Sequence, residues 1–551
     1  MTAKIMDKFT SSKIYEEIKL GKRRVVGYGA SGVLPIILLQ SPFKYDCIID
    51  SNASIEEDLK IFDINLARPD VLSSYDPDKT AVAVLANINQ FGEEIAKTVS
   101  RFGKFPLIRP YDIARDSPIS FESKYSSLLE RIRWRRSLIN YFQQKRTNIF
   151  TDYESKRAVL WITQIVKGGA ERQIALLAVG LRKLGWEIDL ITSAPHGERV
   201  DTLLYALRES NVTLRLLPSP REMWPKYYGN TEERLFAEEL SVFFSPYHVH
   251  CIVNTFDVLR SIKPQLCISY LDSGNVVCGV SAVLAGVPNI LMSGRNVNPT
   301  NICFDDENLW RYPDVYRALL RLPNVKLSNN SQSGAESYAK WLRIPDAKIE
   351  VIRNAAEPLL EDRRDIRAEL NISKSAPVLL GVMRLVEQKT PEAFVEIVRS
   401  VHAFLPEVRA ILVGDGPLRG TVEEQCKSVG LCGVLHVVGA QDNPRPFYEA
   451  ANIVFMTSKF EGMSNVALEA QMYGIPVVST DVVGMRDALA PCFHPHLKPY
   501  GRWEELAREG VDILVNKDHA EKLSKAGRDF VAEQFSVEML AKKTLAALDL
   551  C

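Results

Sequence analysis

The chain contains no apolar run long enough to cross a bilayer, and its opening residues, MTAKIMDKF, lack the apolar core of a signal peptide. An excess of charge of one sign is missing too. The 68 Lys and Arg balance 68 Asp and Glu, which argues against a nucleic-acid binder while leaving local basic patches open. The nine cysteines are odd in number, scattered, and nowhere spaced as Cys-x-x-Cys, a usage that fits a reducing cytoplasm. The expected location is therefore cytoplasmic, with any membrane association peripheral, on the inner face of the cytoplasmic membrane. At 551 residues the chain exceeds one hydrophobic core, and three domains are the natural expectation.

What the sequence does hold is concentrated between Ser458 and Asp487, SKFEGMSNVALEAQMYGIPVVSTDVVGMRD. The pattern predicts the end of a buried strand, a loop, a short helix stopped by Gly474, and a second β-branched strand, Val477 to Thr480. Glu461 falls in the loop beside Gly462. Glu469 falls inside a helix whose other residues, among them Val466, Ala467, Leu468, Ala470 and Met472, are apolar nearly all round. A glutamate in a helix is ordinarily a solvated surface residue. One in so apolar a helix is buried and needs a partner, since an unpaired buried carboxylate costs several kcal/mol. The loop Gly462, Met463, Ser464 and Asn465 presents backbone N–H groups at the helix N-terminus, where an anion is favoured. Two carboxylates flanking an anion nest suit a ligand with hydroxyls at both ends and phosphate in the middle, a nucleotide sugar.

The spacing of Glu461, Glu469, Gly474, Pro476, Val477 and Val478 resembles the signature of the retaining glycosyltransferases of family 4: a Glu, seven residues, a second Glu, then Gly-x-Pro-Val-Val. That resemblance implies an α/β protein of GT-B architecture, two Rossmann-like domains facing across a cleft. It also implies that the first Glu contacts the donor sugar and the second the ribose. Further positions are similar to the family's. AVLWIT followed by Gly168 and Gly169 resembles the first strand and glycine loop of the acceptor-side domain, lying against the donor phosphates. Arg384 and Lys389 match the Arg and Lys that grip the diphosphate, residue types suited to phosphate by a forked guanidinium and a point charge. Gly414 matches a turn under the nucleotide, the loop Ala440 to Pro446 the region that holds the base, and Asn354 the interdomain linker. Where the family often carries a His at the end of a strand, this chain has Ser293, Gly294, Arg295 and Asn296. Arg295 could supply positive charge near the leaving phosphate, although a loop Arg is as readily a surface residue.

Ahead of this region, Arg24 to Asp50 read as strand, glycine turn, helix and strand, with Gly27, Gly29, Gly32 and Asp50 spaced as in a dinucleotide-binding turn. Residues 1–118 are thus expected to form a third, small Rossmann-like domain, holding a nucleotide or serving structure alone. A basic helical linker spans 119–156, with Leu128, Ile132, Ile139 and Phe142 at near-helical spacing among Arg131, Arg133, Arg135 and Arg136. It either joins domains or rests on an anionic membrane surface. The acceptor domain is expected over 157–355, the donor domain over 356–530, and a helix crossing back over 531–551.

Several smaller patterns read blandly. Tyr15/Lys19 and Tyr141/Lys145 are chance pairs one helical turn apart, Asp76-Pro77-Asp78 a solvated turn, and His248/His250 a pair without a further metal ligand. No metal site is expected. The expected activity is transfer of a sugar from a nucleoside-diphosphate sugar to a glycan or lipid-linked glycan, in surface polysaccharide biosynthesis and without a required cofactor. A glycosidase would set its carboxylates on opposite sides of a bond, whereas Glu461 and Glu469 belong to one local unit. The alternative is a nucleotide-sensing or NAD-dependent oxidoreductase protein led by the N-terminal turn, its GT-B part inactive.

Overall fold

The computed structural model describes residues 22–28, 45–49, 65–84, 95–108, 128–145, 152–166, 168–195, 201–219, 232–301, 311–359 and 361–550. The chain divides into two compact units, Met1–Arg146 with Leu217–Val258, and Thr147–Leu216 with Leu259–Cys551.

In the first unit, short β-branched runs buried on both faces form an all-parallel sheet, as expected for strands covered on both sides. Its strands are β1 (Arg24–Tyr28), β2 (Cys47–Ile49), β3 (Asn65–Ala67), β4 (Thr80–Val84) and β5 (Leu107–Ile108), in the order β3-β2-β1-β4-β5. Val26, Ile49, Leu72, Val82, Val99 and Leu107 belong to one core. Gly27 lies in β1 opposite Ile48; Gly29, Gly32 and Asp50 lie outside the described residues. The helix Leu128–Lys145 buries Leu138, Tyr141 and Phe142. Tyr141 packs 5.3 Å from Phe243, and both the Tyr141 hydroxyl (3.3 Å) and the Lys145 ammonium (2.6 Å) donate to Glu239. In its described part the helix therefore spends its apolar residues on protein packing, and Tyr141 and Lys145 act as anchors.

The second unit contains two further parallel sheets. The first has strands β6 (Glu154–Ile162), β7 (Glu187–Thr192), β8 (Thr213–Leu216), β9 (Pro264–Tyr270), β10 (Asn289–Gly294), β11 (Val325–Asn329) and β12 (Ile349–Val351), in the order β12-β11-β10-β9-β6-β7-β8. The second has β13 (Val378–Val382), β14 (Arg409–Val413), β15 (Leu435–Gly439), β16 (Ile453–Met456), β17 (Val477–Thr480) and β18 (Leu497–Lys498), in the order β15-β14-β13-β16-β17-β18. In each sheet the order reverses once, between β6 and β9 and between β13 and β16. Crevices at such switch points, beyond the carboxyl ends of the strands, are where doubly wound sheets bind ligands. This pair of sheets is the GT-B fold.

β6 begins four residues before the expected Ala158. Its head, Glu154–Arg157, is largely exposed and has no apolar pattern to read, but the Glu154 N–H bonds the Lys263 carbonyl at 2.9 Å. At the other end of the chain, Val537, Leu540, Ala541 and Leu545 of the helix Val537–Ala546 enter the core of the first of these sheets. Gly180 makes that contact possible, since a Cβ there would come within 2.8 Å of the Val537 carbonyl oxygen.

Candidate functional site

The two carboxylates anticipated between Ser458 and Asp487 sit beyond β16, at the switch point of the second sheet. Glu461, 6% exposed, accepts from Ser458 Oγ at 2.6 Å and from the Lys389 ammonium, which arrives from the loop beyond β13. Two neighbouring strand ends thus bring together a cation and an anion that lie far apart in sequence. The loop is held tightly. The Glu461 N–H donates to the Val483 carbonyl (3.1 Å), and a Cβ on Gly462 would meet the Arg295 carbonyl oxygen at 2.7 Å. Gly484 approaches from the other side in the left-handed region, at φ +84°.

Glu469 is also buried, 6% exposed, on the helix Asn465–Met472. The partners that its burial demands are Arg172, whose Nη1 lies 2.5 Å from Oε1, and Tyr448, whose hydroxyl donates to Oε2 at 2.8 Å. Burial and the Glu469 charge push the Tyr448 phenol well above its ordinary pKa, so it remains a donor. Tyr448 stacks on Tyr473 at 5.5 Å. Ser464 caps the helix, its Oγ accepting from the Ala467 N–H at 3.3 Å, so this first-turn N–H is taken by the chain's own cap. Met463 is buried, and its carbonyl accepts from Asn354 Nδ2 at 3.1 Å. Asn465 reaches across the cleft: its Oδ1 accepts from Asn354 (2.6 Å) and Gln173 (3.1 Å), and its Nδ2 donates to the Gly169 carbonyl (3.2 Å).

The glycine loop after β6 lies close against Asn465, for a specific steric reason. A Cβ on Gly169 would stand 2.9 Å from Asn465 Nδ2, and one on Gly168 would stand 2.0 Å from Glu171 Oε2. Glu171 folds back over the loop and is 9% exposed. Burial pushes its carboxyl pKa up, and the nearby positive charge of Arg384 pulls it partly back. Arg384 itself is exposed. Gly414, at φ +145°, has its own structural requirement, because a Cβ there would strike the Met383 carbonyl oxygen at 1.7 Å.

Arg295 is buried rather than a surface residue. Its guanidinium lies 4.2 Å above the Tyr270 ring, and Nη2 donates to Asn354 Oδ1 at 2.5 Å. Burial pushes its pKa below the ordinary arginine value, and among the described residues Nε and Nη1 have no hydrogen-bond partner. The two histidines are built into the first unit. His248 Nδ1 lies 2.8 Å from Ser245 Oγ, and His250 Nε2 lies 3.1 Å from the Pro218 carbonyl. Asp76 Oδ1 accepts from the Asp78 N–H at 3.0 Å, closing a turn.

Sequence reasoning passed over Arg172, Gln173 and Tyr448. A signal for the first two was present: three polar residues, Glu171-Arg172-Gln173, open a helix that continues as IALLAVG. Polar side chains at the head of a buried helix have partners elsewhere in the fold.

A family model described as glycosyl transferases group 1 matches residues 362–530, which include Lys389, Glu461 and Glu469. The Vi polysaccharide biosynthesis protein VipC/TviE of Salmonella typhi is 28% identical over 361 residues, covering 61% of this chain and 60% of that protein's own length. The uncharacterized glycosyltransferase MJ1059 of Methanocaldococcus jannaschii is 31% identical over 338 residues, covering 52% of this chain and 79% of the relative. Among solved structures, Anabaena Alr3699/HepE in complex with UDP and glucose superposes with a TM-score of 0.57 at 17% identity, over 72% of this chain and 99% of that one. With its paired glutamates inside the matched segment and a relative aligned over most of its length, the chain belongs to the glycosyl transferases group 1.

Proposed function

We propose that the chain is a retaining glycosyltransferase that moves a sugar from a nucleoside-diphosphate sugar to a glycan or lipid-linked glycan acceptor in surface polysaccharide biosynthesis. The observation that carries this reading is the placement of Glu461 and Glu469 on one strand–loop–helix unit at a switch point, with Lys389 bonded to Glu461. Arg384 and Lys389 hold the diphosphate, Glu469 the ribose and Glu461 the sugar. Positive charge and loop N–H groups stabilise the departing diphosphate as its charge develops. Following the family's usual account, the leaving phosphate helps deprotonate the acceptor on the same face, and the enzyme supplies no nucleophile. Arg295 adds buried positive charge on the acceptor side.

Relatives support the pathway. The Salmonella protein is named for Vi polysaccharide biosynthesis, and a Rhizobium meliloti relative, 31% identical over 182 residues, for lipopolysaccharide core biosynthesis. The protein works in the cytoplasm with peripheral contact at the inner membrane face; no described helix is long and apolar enough to cross a membrane. In the N-terminal unit, Gly27 at the carboxyl half of β1 and the reversal between β1 and β4 support a nucleotide site that includes Gly29, Gly32 and Asp50.

Assay against a panel of nucleotide sugars tests the reading. Transfer or donor hydrolysis should be present in the wild type and lost in Glu461→Ala. Activity left intact in both Glu461→Ala and Lys389→Ala would overturn the site assignment.

A further inference from the structure

A carboxylate has about four acceptor directions, two on each oxygen. In Glu469 the protein uses one on each: Arg172 Nη1 occupies Oε1 and the Tyr448 hydroxyl occupies Oε2. Among the described residues no other donor takes the remaining direction on each oxygen, an arrangement that matches a pair of vicinal hydroxyls. The two protein donors differ in kind. Tyr448 is a neutral phenol close by in the same half, whereas Arg172 is a cation 297 residues away, at the head of the helix Gly169–Lys183.

Arg172 is itself held in place. Its Nη2 donates to the Glu357 carbonyl at 3.2 Å, and its neighbour Gln173 clamps Ala355 from both sides, donating to its carbonyl and accepting from its N–H, each at 2.8 Å. Both contacts fall on the connection between the two halves. The guanidinium position is thus set by the backbone of that connection rather than by a flexible surface side chain. Without Arg172, the Tyr448 hydroxyl on Oε2 would be the one of these two donors left, and nothing from the other half would fix the orientation of Oε1.

We propose that Arg172 is a positioning residue for donor recognition: it orients Glu469 so that the carboxylate accepts from the two ribose hydroxyls, and it imposes this from the acceptor-side half. The inference rests on the reading of the chain as a nucleotide-sugar transferase. It assigns a specificity role to a residue that would otherwise be a staple between the halves.

The test is calorimetric binding of UDP, GDP and ADP to the full-length wild type, followed by the 2′-deoxy form of whichever binds. Wild type should prefer the ribonucleotide by about 10-fold or more, the size of one charge-assisted hydrogen bond, and Glu469→Gln should erase that preference. Arg172→Ala should compress it to within about threefold. Arg172→Lys should restore part of it. A staple alone would weaken ribo- and deoxynucleotide binding equally and leave their ratio unchanged. An Arg172→Ala protein with wild-type thermal unfolding and the wild-type ribo/deoxy ratio overturns the inference and leaves the transferase reading standing. If that variant does not fold, the same ratio in Arg172→Met, which keeps the apolar stem and removes the donors, decides, and a wild-type value there overturns the inference. A wild type that binds none of the three nucleotides overturns the transferase reading and the inference together.

Discussion

Lys389 and Glu461, 72 residues apart in the chain, are bonded to one another at the point where the strand order of the second sheet reverses. The ammonium serves two anions there in the proposed reaction, the Glu461 carboxylate and the donor diphosphate. Lys389→Ala leaves Glu461 only the Ser458 hydroxyl among these two donors. The expected loss is about 1.5–3 kcal/mol of transition-state stabilisation, roughly 10- to 150-fold in kcat/KM for the nucleotide sugar. Because the two residues act as a unit, the double variant Lys389→Ala/Glu461→Gln should lose much less than the product of the single effects. Steady-state kinetics on the four proteins checks this, and strictly multiplicative losses would refute the coupling.

Gly484 holds the same loop by steric means. At φ +84° a side chain costs about 1–3 kcal/mol in backbone strain alone, and a Cβ would fall 1.7 Å from the Gly462 carbonyl oxygen. Gly430, at φ +75°, has nothing within 4 Å of its would-be Cβ. Gly430→Ala should therefore lower stability by about the strain term and leave nucleotide binding intact, while Gly484→Ala should lower stability further and abolish binding. Denaturant unfolding and calorimetry on both variants separate the two contributions.

Glu171 predicts a stability that depends on pH. Burial raises its folded pKa above the ordinary 4.5. Its contribution to stability is accordingly full below that ordinary value and is lost as pH rises through the folded value. Glu171→Gln removes the penalty, so the variant should melt above wild type at about pH 7–8 and together with it near pH 4. A gain that persists unchanged at low pH would show that something other than ionisation is responsible.

His250 works in the opposite direction. Burial pushes its pKa down from 6.5 to about 4, partly countered by the Pro218 carbonyl. A depressed histidine contributes stability that is present above 6.5 and lost as pH falls towards the folded value, here up to about 3 kcal/mol. Wild-type stability to unfolding should fall as pH drops across that window, and His250→Gln, which can still donate to Pro218, should narrow the difference between pH 7 and pH 4. An identical pH dependence in the two proteins would exclude His250 as the acid-sensitive group.

The alternation of β-branched runs with helical segments was enough, by itself, to establish parallel α/β sheets, since strands covered on both faces must be apolar throughout. The short motif around Glu461 and Glu469 pointed to a glycosyltransferase, and the group 1 match includes it, because its spacing is local and survives in the linear text. The burial of Glu469 was legible for the same reason: Val466 to Met472 leave a charge no polar face to occupy. Nothing local told which cation answers it. Arg172 lies 297 residues away, and only the closing of one half against the other puts its guanidinium on Oε1. Arg295 shows the same limit. Its position after β10 was readable, but its burial over Tyr270 and its bond to Asn354 depend on the ends of β9 and β10 meeting the connection between the halves. Patterns of apolar residues are enforced by burial and repeat along the chain, whereas partners for buried charges are chosen by geometry. In this protein the sequence alone determined the sheets and the paired carboxylates, and the tertiary structure decided their counter-ions.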